Sequence, residues 1–454
     1  MSFLRSLTTP AARIDYKIED AIGKSQKTHL IVHVAQLPAY RFVDLTNAIE
    51  CFLEEREEIA KIETQQSESL NDLIYNQKPD WSDRTVRKST KMAWQDGSDS
   101  EIYLPIDCFW LCPSGEPEER YVIRLEFNEM GQQSNLQIAC GTSGAGEEAL
   151  NQILTLSREN SIYRNQNLQL TYEAGKTDEY GDIEKAERFQ VVYSAIEPVS
   201  DEDIVLSEEH LNTLRRNVIE LHTRREILSA NGVPTRRGVL LHGPPGTGKT
   251  YACRYLCSQL PEVTRIVVTG SALVNVGAIF SFARLLQPAL LILEDVDLIF
   301  AAREINLYST GLGDLLDQMD GMRSHEEISV VLTTNSIDRL EAAIKDRPGR
   351  ISQCIFMGPP KADLRRRYIE HHLQNYKADQ LDIDTLVKDT AGATQAFLKE
   401  LVHRAVQIAC ERLDNSSQRA ELGSADFSEA LREMNNFLEG SGGTIIGFVP
   451  KANK

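Results

Sequence analysis

No run of about 18 apolar residues occurs in this 454-residue chain, so no transmembrane helix is expected. The stretch Met1–Pro10 has no long apolar core either, and no secretory signal is expected from it. Excess positive charge is also missing: 49 Lys and Arg face 67 Asp and Glu, for a formal charge of −18. That balance disfavours non-specific binding to nucleic acid or to an anionic membrane as the main task. The eight cysteines (Cys51, Cys108, Cys112, Cys140, Cys253, Cys257, Cys354 and Cys410) never form the paired CxxC spacing of a zinc ribbon. They are expected to be reduced thiols in a cytoplasmic setting. There is no internal repeat, no low-complexity tract and no Asn-Lys-x-Asp guanine-reading motif.

What the chain does carry is Gly243-Pro244-Pro245-Gly246-Thr247-Gly248-Lys249-Thr250. It follows Gly238–His242, an apolar run expected to be a buried parallel strand, and precedes Tyr251–Leu256, expected to be helical. Strand, glycine-rich loop and helix is the context a phosphate cradle needs. Glycines let backbone N–H groups turn around an anion, and the helix points its positive end at the same place. Lys249 would reach the β- and γ-phosphates of a nucleotide, and Thr250 would hold Mg²⁺. Gly243 to Tyr251 is thus the candidate nucleotide-binding stretch. Gly175-Lys176-Thr177 is a decoy, with no upstream glycine at the required spacing and no helix pattern after it.

Three further segments narrow the chemistry. Leu290-Leu291-Ile292-Leu293-Glu294-Asp295-Val296-Asp297 is an apolar strand ending in carboxylates. One carboxylate there can grip Mg²⁺ through water while its neighbour orients an attacking water. Ser329–Asn335 is a second buried-strand pattern, ending in an amide able to bond both water and phosphate. Arg347-Pro348-Gly349-Arg350 follows a helical pattern over 337–345. The proline pushes Arg347 out of helical geometry and onto a loop, which suits a cation reaching a neighbouring subunit's nucleotide.

Taken in order, GPPGTGKT, LILEDVD, LTTN and RPGR resemble the AAA-proper branch of the AAA+ ATPases, over residues 204–437. The helix Leu315–Met322 also resembles that family's. The resemblance implies ATP and Mg²⁺ as cofactors, and a ring, usually a hexamer, with ATP at subunit interfaces. It also implies catalytic roles for Glu294, Asp295, Asn335, Arg347 and Arg350. Thr250 and Glu294 would lie on the metal, and a turn at Gly392-Ala393 would approach the adenosine, with Thr394 capping the next helix. The fold class it implies is an α/β P-loop NTPase large domain with a parallel sheet (199–358) and a small helical lid (359–437). A separate α+β N-terminal domain (26–198) would precede it, with a leader at 1–25 and a flexible tail at 438–454.

The chain departs from the family pattern in three ways. The carboxylate order is Glu-Asp rather than Asp-Glu, as in ATPases resembling the mitochondrial translocase of the folded Rieske protein. The segment Thr269–Ala278 stands where unfoldases carry a substrate-gripping aromatic, and it has none. The membrane helix of the Rieske-type translocases has no counterpart, so the resemblance is closest to soluble bacterial members. The lid has no second-sensor arginine, with Ala393 and Thr394 near its position, as the resemblance to the AAA-proper branch implies. The expected function is ATP-driven remodelling, translocation or movement of a partner protein, with no nucleic acid and no membrane. The alternative is a nucleotide-gated scaffold in a bacterial defence or stress complex that recruits an effector through its N-terminal domain.

Overall fold

The structure, a computed structural model, describes residues 13–22, 30–54, 56, 59–76, 84, 86, 89–95, 101–113, 120–128, 132–173, 176–177, 183–185, 188–298, 311–323, 326–337, 351–413 and 419–441. Two compact units emerge. The first comprises Met1–Arg164 with Tyr172–Val191, and the second Asn165–Thr171 with Val192–Lys454. The chain therefore passes between them three times, rather than once near residue 198 as expected.

The first unit is built on an antiparallel sheet. Its strands are β1 (Ile31–Pro38), β2 (Ala60–Glu63), β5 (Asp107–Cys112), β6 (Tyr121–Asn128) and β7 (Gln133–Cys140), in the order β1-β7-β6-β5-β2. β3 (Lys91–Gln95) and β4 (Glu101–Pro105) pair separately. β4 and β5 are separated at Ile106, whose N–H turns aside to the Thr90 carbonyl. Side chains alternate across a strand, and here both faces are covered. Cys108, Trp110 and Cys112 join Ile123, Leu125 and the helix Phe42–Leu53 on one side. Phe109, Leu111 and Val122 join the helices Ile14–Ile22 and Leu70–Tyr75 on the other.

The helix Ile14–Ile22 corrects the expectation of a loose leader over 1–25. Ile14, Ile18 and Ile22 recur every fourth residue, share one helix face, and are fully buried. On the same side of the sheet Arg124 grips Asp107 through two parallel bonds of 2.9 Å, both partners buried. Such a fork satisfies both charges at once.

The second unit carries a seven-stranded sheet. β8 (Asn167–Glu173) and β11 (Arg188–Tyr193) each run across a unit boundary, and the short pair between them, β9 (Lys176–Thr177) with β10 (Ile183–Lys185), belongs to the first unit. The remaining strands are β12 (Arg237–His242), β13 (Thr264–Val268), β14 (Ala289–Leu293), β15 (Ile328–Thr334) and β16 (Gln353–Phe356). The order is β11-β8-β13-β14-β15-β12-β16. The pairs β8–β13, β13–β14, β14–β15, β15–β12 and β12–β16 are all parallel. β14 and β15 are buried at every position, which is why they read as unbroken apolar runs. The helix Lys249–Gln259 packs Ala252, Tyr255 and Leu256 against β12 and β14.

Ahead of β12 lie the helix Glu208–Leu214, a π-helical turn at Arg215–Ile219, then Glu220–Thr223 and Arg225–Ala230. Within 359–437 the expectation of helices alone misses a short parallel pair, β17 (Lys377–Gln380) with β18 (Glu421–Gly423). The helices Ala362–Leu373, Ile383–Asp389, Gln395–Cys410 and Ser424–Ser441 share a core of Ile369, Phe397, Leu401 and Phe427. The last helix runs to Ser441, past the tail boundary expected at 438, and Ile445–Val449 lies outside the described residues.

One buried acid gives the first unit a pH signature. Asp44 accepts from Ser161 Oγ at 2.7 Å and from the Ile162 N–H at 2.9 Å. Burial outweighs these bonds and pushes its carboxyl up to about 6. The folded state then holds a proton that the unfolded chain releases near pH 4, so Asp44's contribution to stability falls as pH rises from about 4 through about 6. Asp44→Asn keeps the shape without the charge. It should gain on the wild type across that window by up to about 3 kcal/mol in urea unfolding, and a difference that does not change with pH would refute it.

Candidate active site

Parallel pairing brings the motifs together before any side chain is considered. β14, β15 and β12 are neighbours, and each is followed at its C-terminal end by one motif: Glu294-Asp295, Asn335 and Gly243–Thr250. That end of an open α/β sheet is where crevices for ligands form. The Gly243 N–H donates to the Thr334 carbonyl at 3.3 Å, tying the start of the phosphate loop to β15.

The loop uses its glycines for backbone shape. Gly243, Gly246 and Gly248 have φ of 150°, 78° and 90°. A Cβ on Gly243 would collide with the Met357 carbonyl, and one on Gly246 would sit 2.9 Å from the Ala396 Cβ. Thr247 Oγ1 donates to the Pro244 carbonyl at 2.8 Å and fixes the turn. Lys249 opens the helix and is buried, with its ammonium donating to the Gly243 and Pro244 carbonyls at 2.8 and 3.0 Å. Burial lowers its pKa, against the attraction of Asp295 and Asp297. A cation held by loop carbonyls and faced by carboxylates is poised for an anionic ligand.

Glu294 and Asp295 sit side by side in different environments. Burial raises the Glu294 pKa, opposed by a hydrogen bond from the Thr250 side chain. Its Oε1 is buried with no partner. An orphaned carboxylate oxygen next to a threonine hydroxyl fits a hydrated Mg²⁺, which would take both groups into its shell. Among the described residues no three His, Cys, Asp or Glu side chains form a metal cluster. Phosphate oxygens and water must therefore complete any metal shell here.

Asp295 has a φ of 51°, rare for a residue with a Cβ but tolerated best by Asp and Asn. Its N–H donates to Thr333 Oγ1 at 3.0 Å, and its Oδ1 accepts from Asn335 Nδ2 at 3.0 Å. Asp297 was not anticipated as a site residue. Its Oδ1 accepts from Thr334 Oγ1 at 2.9 Å and from the Asn335 backbone N–H at 3.2 Å, so it holds the backbone of the residue whose side-chain amide meets Asp295. The third carboxylate of LEDVD was the signal available for it.

The remaining candidates divide. Gly392, at φ 90°, and buried Ala393 form the turn before Thr394, whose Oγ1 caps Gln395–Cys410 by accepting from the Phe397 N–H. The Ala396 N–H donates to the Gly246 carbonyl at 3.0 Å, so this turn does reach the phosphate loop. Tyr251 is partly exposed beside the loop, and burial raises its pKa. Arg347 and Arg350 lie outside the described residues. Among the described residues no helix is long and apolar enough to cross a membrane.

A glycine cradle with a buried lysine, a threonine–glutamate pair, and an aspartate aimed by an amide together form the arrangement of a P-loop nucleotide site. Residues 239–359 match the model of the ATPase family associated with various cellular activities (AAA), so this segment is similar to ATPases that use ATP with Mg²⁺. The chain is 31% identical over 249 residues to proteasome-activating nucleotidase 2 of Halobacterium salinarum, covering 51% of this chain and 59% of that one. It is 31% identical over 241 residues to the 26S proteasome regulatory subunit 8 homolog of Schizosaccharomyces pombe (49% and 58%). To the ATP-dependent zinc metalloprotease FtsH 2 of a Thermoanaerobacter species it is 28% identical over 249 residues (52% and 47%). The chain thus spans about half to three-fifths of the length of these relatives.

The glycine contacts carry a prediction. Gly243→Ala meets a backbone carbonyl at a strained φ and should cost about 2 kcal/mol or more in denaturant unfolding. Gly277→Ala sits in the helix Val276–Leu285 with nothing within 4 Å of the added methyl, and should instead stabilise by about 0.5–1 kcal/mol. Equal effects would show that the loop is not held by that contact.

Proposed function

We propose that this chain hydrolyses ATP at the junction of two like subunits and uses the cycle to move or remodel a protein partner. The observation that supports it most is the convergence of Lys249, the Thr250–Glu294 pair and the Asn335–Asp295–Asp297 chain at one end of three adjacent parallel strands. Mg²⁺, when bound, neutralises charge on the phosphates. The chain's own groups divide the rest. Lys249 and the loop N–H groups hold the phosphates. Asp295 accepts a proton from water through the oxygen that Asn335 leaves free. Asn335 fixes the direction of that carboxylate, and Asp297 fixes Asn335.

The Glu-Asp order fits this division: half-buried Glu294 faces the threonine, while the shorter Asp295 is aimed by a left-handed backbone. It supports kinship with the Rieske-translocase type of ATPase module. Arg347 and Arg350 are assigned to the neighbouring subunit's nucleotide, in a ring that is usually hexameric. Residues 359–437 serve as a lid closing over the adenosine, with Gly392 and Ala393 at its turn. The antiparallel first unit is the surface that meets the protein partner. The names of the relatives, a proteasome activator, a proteasome subunit and a protease, support a polypeptide substrate.

Glu294→Gln and Asp295→Asn should keep ATP binding and lose at least about a hundredfold in turnover. Asn at 295 suits because it shares aspartate's tolerance of positive φ. Arg347→Ala should lose about a thousandfold and regain part of it when mixed with an Asp295→Asn chain that still contributes its arginine. Full turnover in the two carboxylate variants would reject the site, and full turnover by a strictly monomeric Arg347→Ala chain would reject the shared interface.

A further inference from the structure

Gln395 is the first residue of the helix Gln395–Cys410 and sits directly after the cap Thr394. Its side chain does not extend into solvent. Nε2 donates to the Val205 carbonyl at 2.9 Å. Oε1 lies so close to Gly248 that a Cβ on that glycine would collide with it. The same turn makes two more contacts with the loop: the Ala396 N–H donates to the Gly246 carbonyl at 3.0 Å, and Thr394 Oγ1 would sit 3.1 Å from a Cβ on Gly246. One side chain therefore spans three segments: the phosphate loop, the start of the C-terminal helical portion, and the irregular stretch Ile204–Leu206.

That stretch is itself anchored. Asp201, four residues before Val205, accepts from the Tyr255 hydroxyl at 2.7 Å and from the Arg215 guanidinium at 2.7 Å, and Arg215 Nε donates to the Tyr255 oxygen at 3.0 Å. Tyr255 is fully buried on the helix that begins with Lys249. The Val205 carbonyl thus presents a fixed acceptor, and the glycine at 248 presents a fixed recess. Gln395 has the length and the two-ended amide to use both, donating at one end and filling space at the other.

We propose that Gln395 is a positioning residue that seats the 362–441 helical portion on the phosphate loop. It sets the geometry in which nucleotide is held, in place of a charged side chain reaching from the same turn. The proposal rests on reading Gly243–Thr250 as the ATP site. An amide can do this without adding charge beside the ligand: its nitrogen is occupied by Val205 and its oxygen faces a glycine. A carboxylate of the same shape cannot, because it would oppose the Val205 carbonyl and put negative charge next to an anion cradle.

The test compares Gln395→Ala and Gln395→Glu with the wild type on the full chain, using two readouts. The first is amide hydrogen exchange in the nucleotide-free protein. The Ala396 N–H should exchange faster in both variants, while the core of β12 keeps its protection. The second is the affinity for a fluorescent ATP analogue and for the corresponding ADP analogue. Gln395→Ala should weaken both by about threefold to tenfold, the scale of one lost hydrogen bond, and Gln395→Glu should weaken them further. Unchanged exchange at Ala396 together with unchanged affinity in both variants would overturn the proposal, as would a Glu variant that binds as tightly as Gln. If the wild type bound neither analogue, the ATP site itself would fall, and that result is separable because the exchange readout needs no nucleotide. Should Gln395→Glu not fold, Gln395→Met supplies the isosteric comparison and should match the Ala loss.

Discussion

Parallel register is the constraint from which the rest of the second unit follows. Once β14 pairs with β15 and β15 with β12, the residues leaving the three strands must lie at one edge of the sheet. No long-range search by side chains is needed to assemble Glu294, Asp295, Asn335 and Gly243. Their spacing is set by the interstrand distance, and hydrogen bonds such as Gly243 to Thr334 refine it. The cost falls on those same residues. Asp295 takes a backbone conformation that most side chains avoid, and Glu294 keeps an oxygen buried without a partner. Each is a feature that an apolar core would not tolerate unless a ligand relieved it.

The two units solve burial differently. In the first, period-two alternation sends Cys108, Trp110 and Cys112 to one face and Phe109 and Leu111 to the other, and both faces carry helices. The central strands β5 and β6 are thus interior although the sheet is antiparallel, while the edge strands β1 and β2 stay largely exposed. The interior charges of that unit, such as the Arg124–Asp107 fork, are permitted because each side meets its partner in bidentate geometry. The second unit covers its sheet in the usual α/β way and leaves its polar chemistry to the strand ends.

What the sequence made legible follows from these differences. The strands β12, β14 and β15 read clearly because buried parallel strands are continuous apolar runs bounded by motif residues. The cap at Thr394 read clearly because a hydroxyl before a helical pattern is a local signal. The helix Ile14–Ile22 was missed because its three isoleucines are diluted by charged neighbours, and only contact with Leu70 and Phe109 shows the face they share. Asp297 and Gln395 were missed for another reason. Their roles depend on partners 38 and 190 residues away, and no local pattern reports a contact at that separation. The π turn at Arg215–Ile219 is also tertiary: Arg215 within it reaches Tyr255.

β8 has a bearing on how the molecule can be divided. It lies next to β13 in the second unit's sheet, yet it precedes the nucleotide loop by some seventy residues of chain, and β11 lies outside it. A fragment beginning at residue 199 would retain every motif and lose both strands. It would leave the row of N–H and C=O groups on β13 from Thr264 to Val268 open, which is a template for self-association. Limited proteolysis or truncation at the apparent junction would therefore yield a catalytic fragment prone to stick to itself, whereas a cut before Asn165 would keep that flank of the sheet closed.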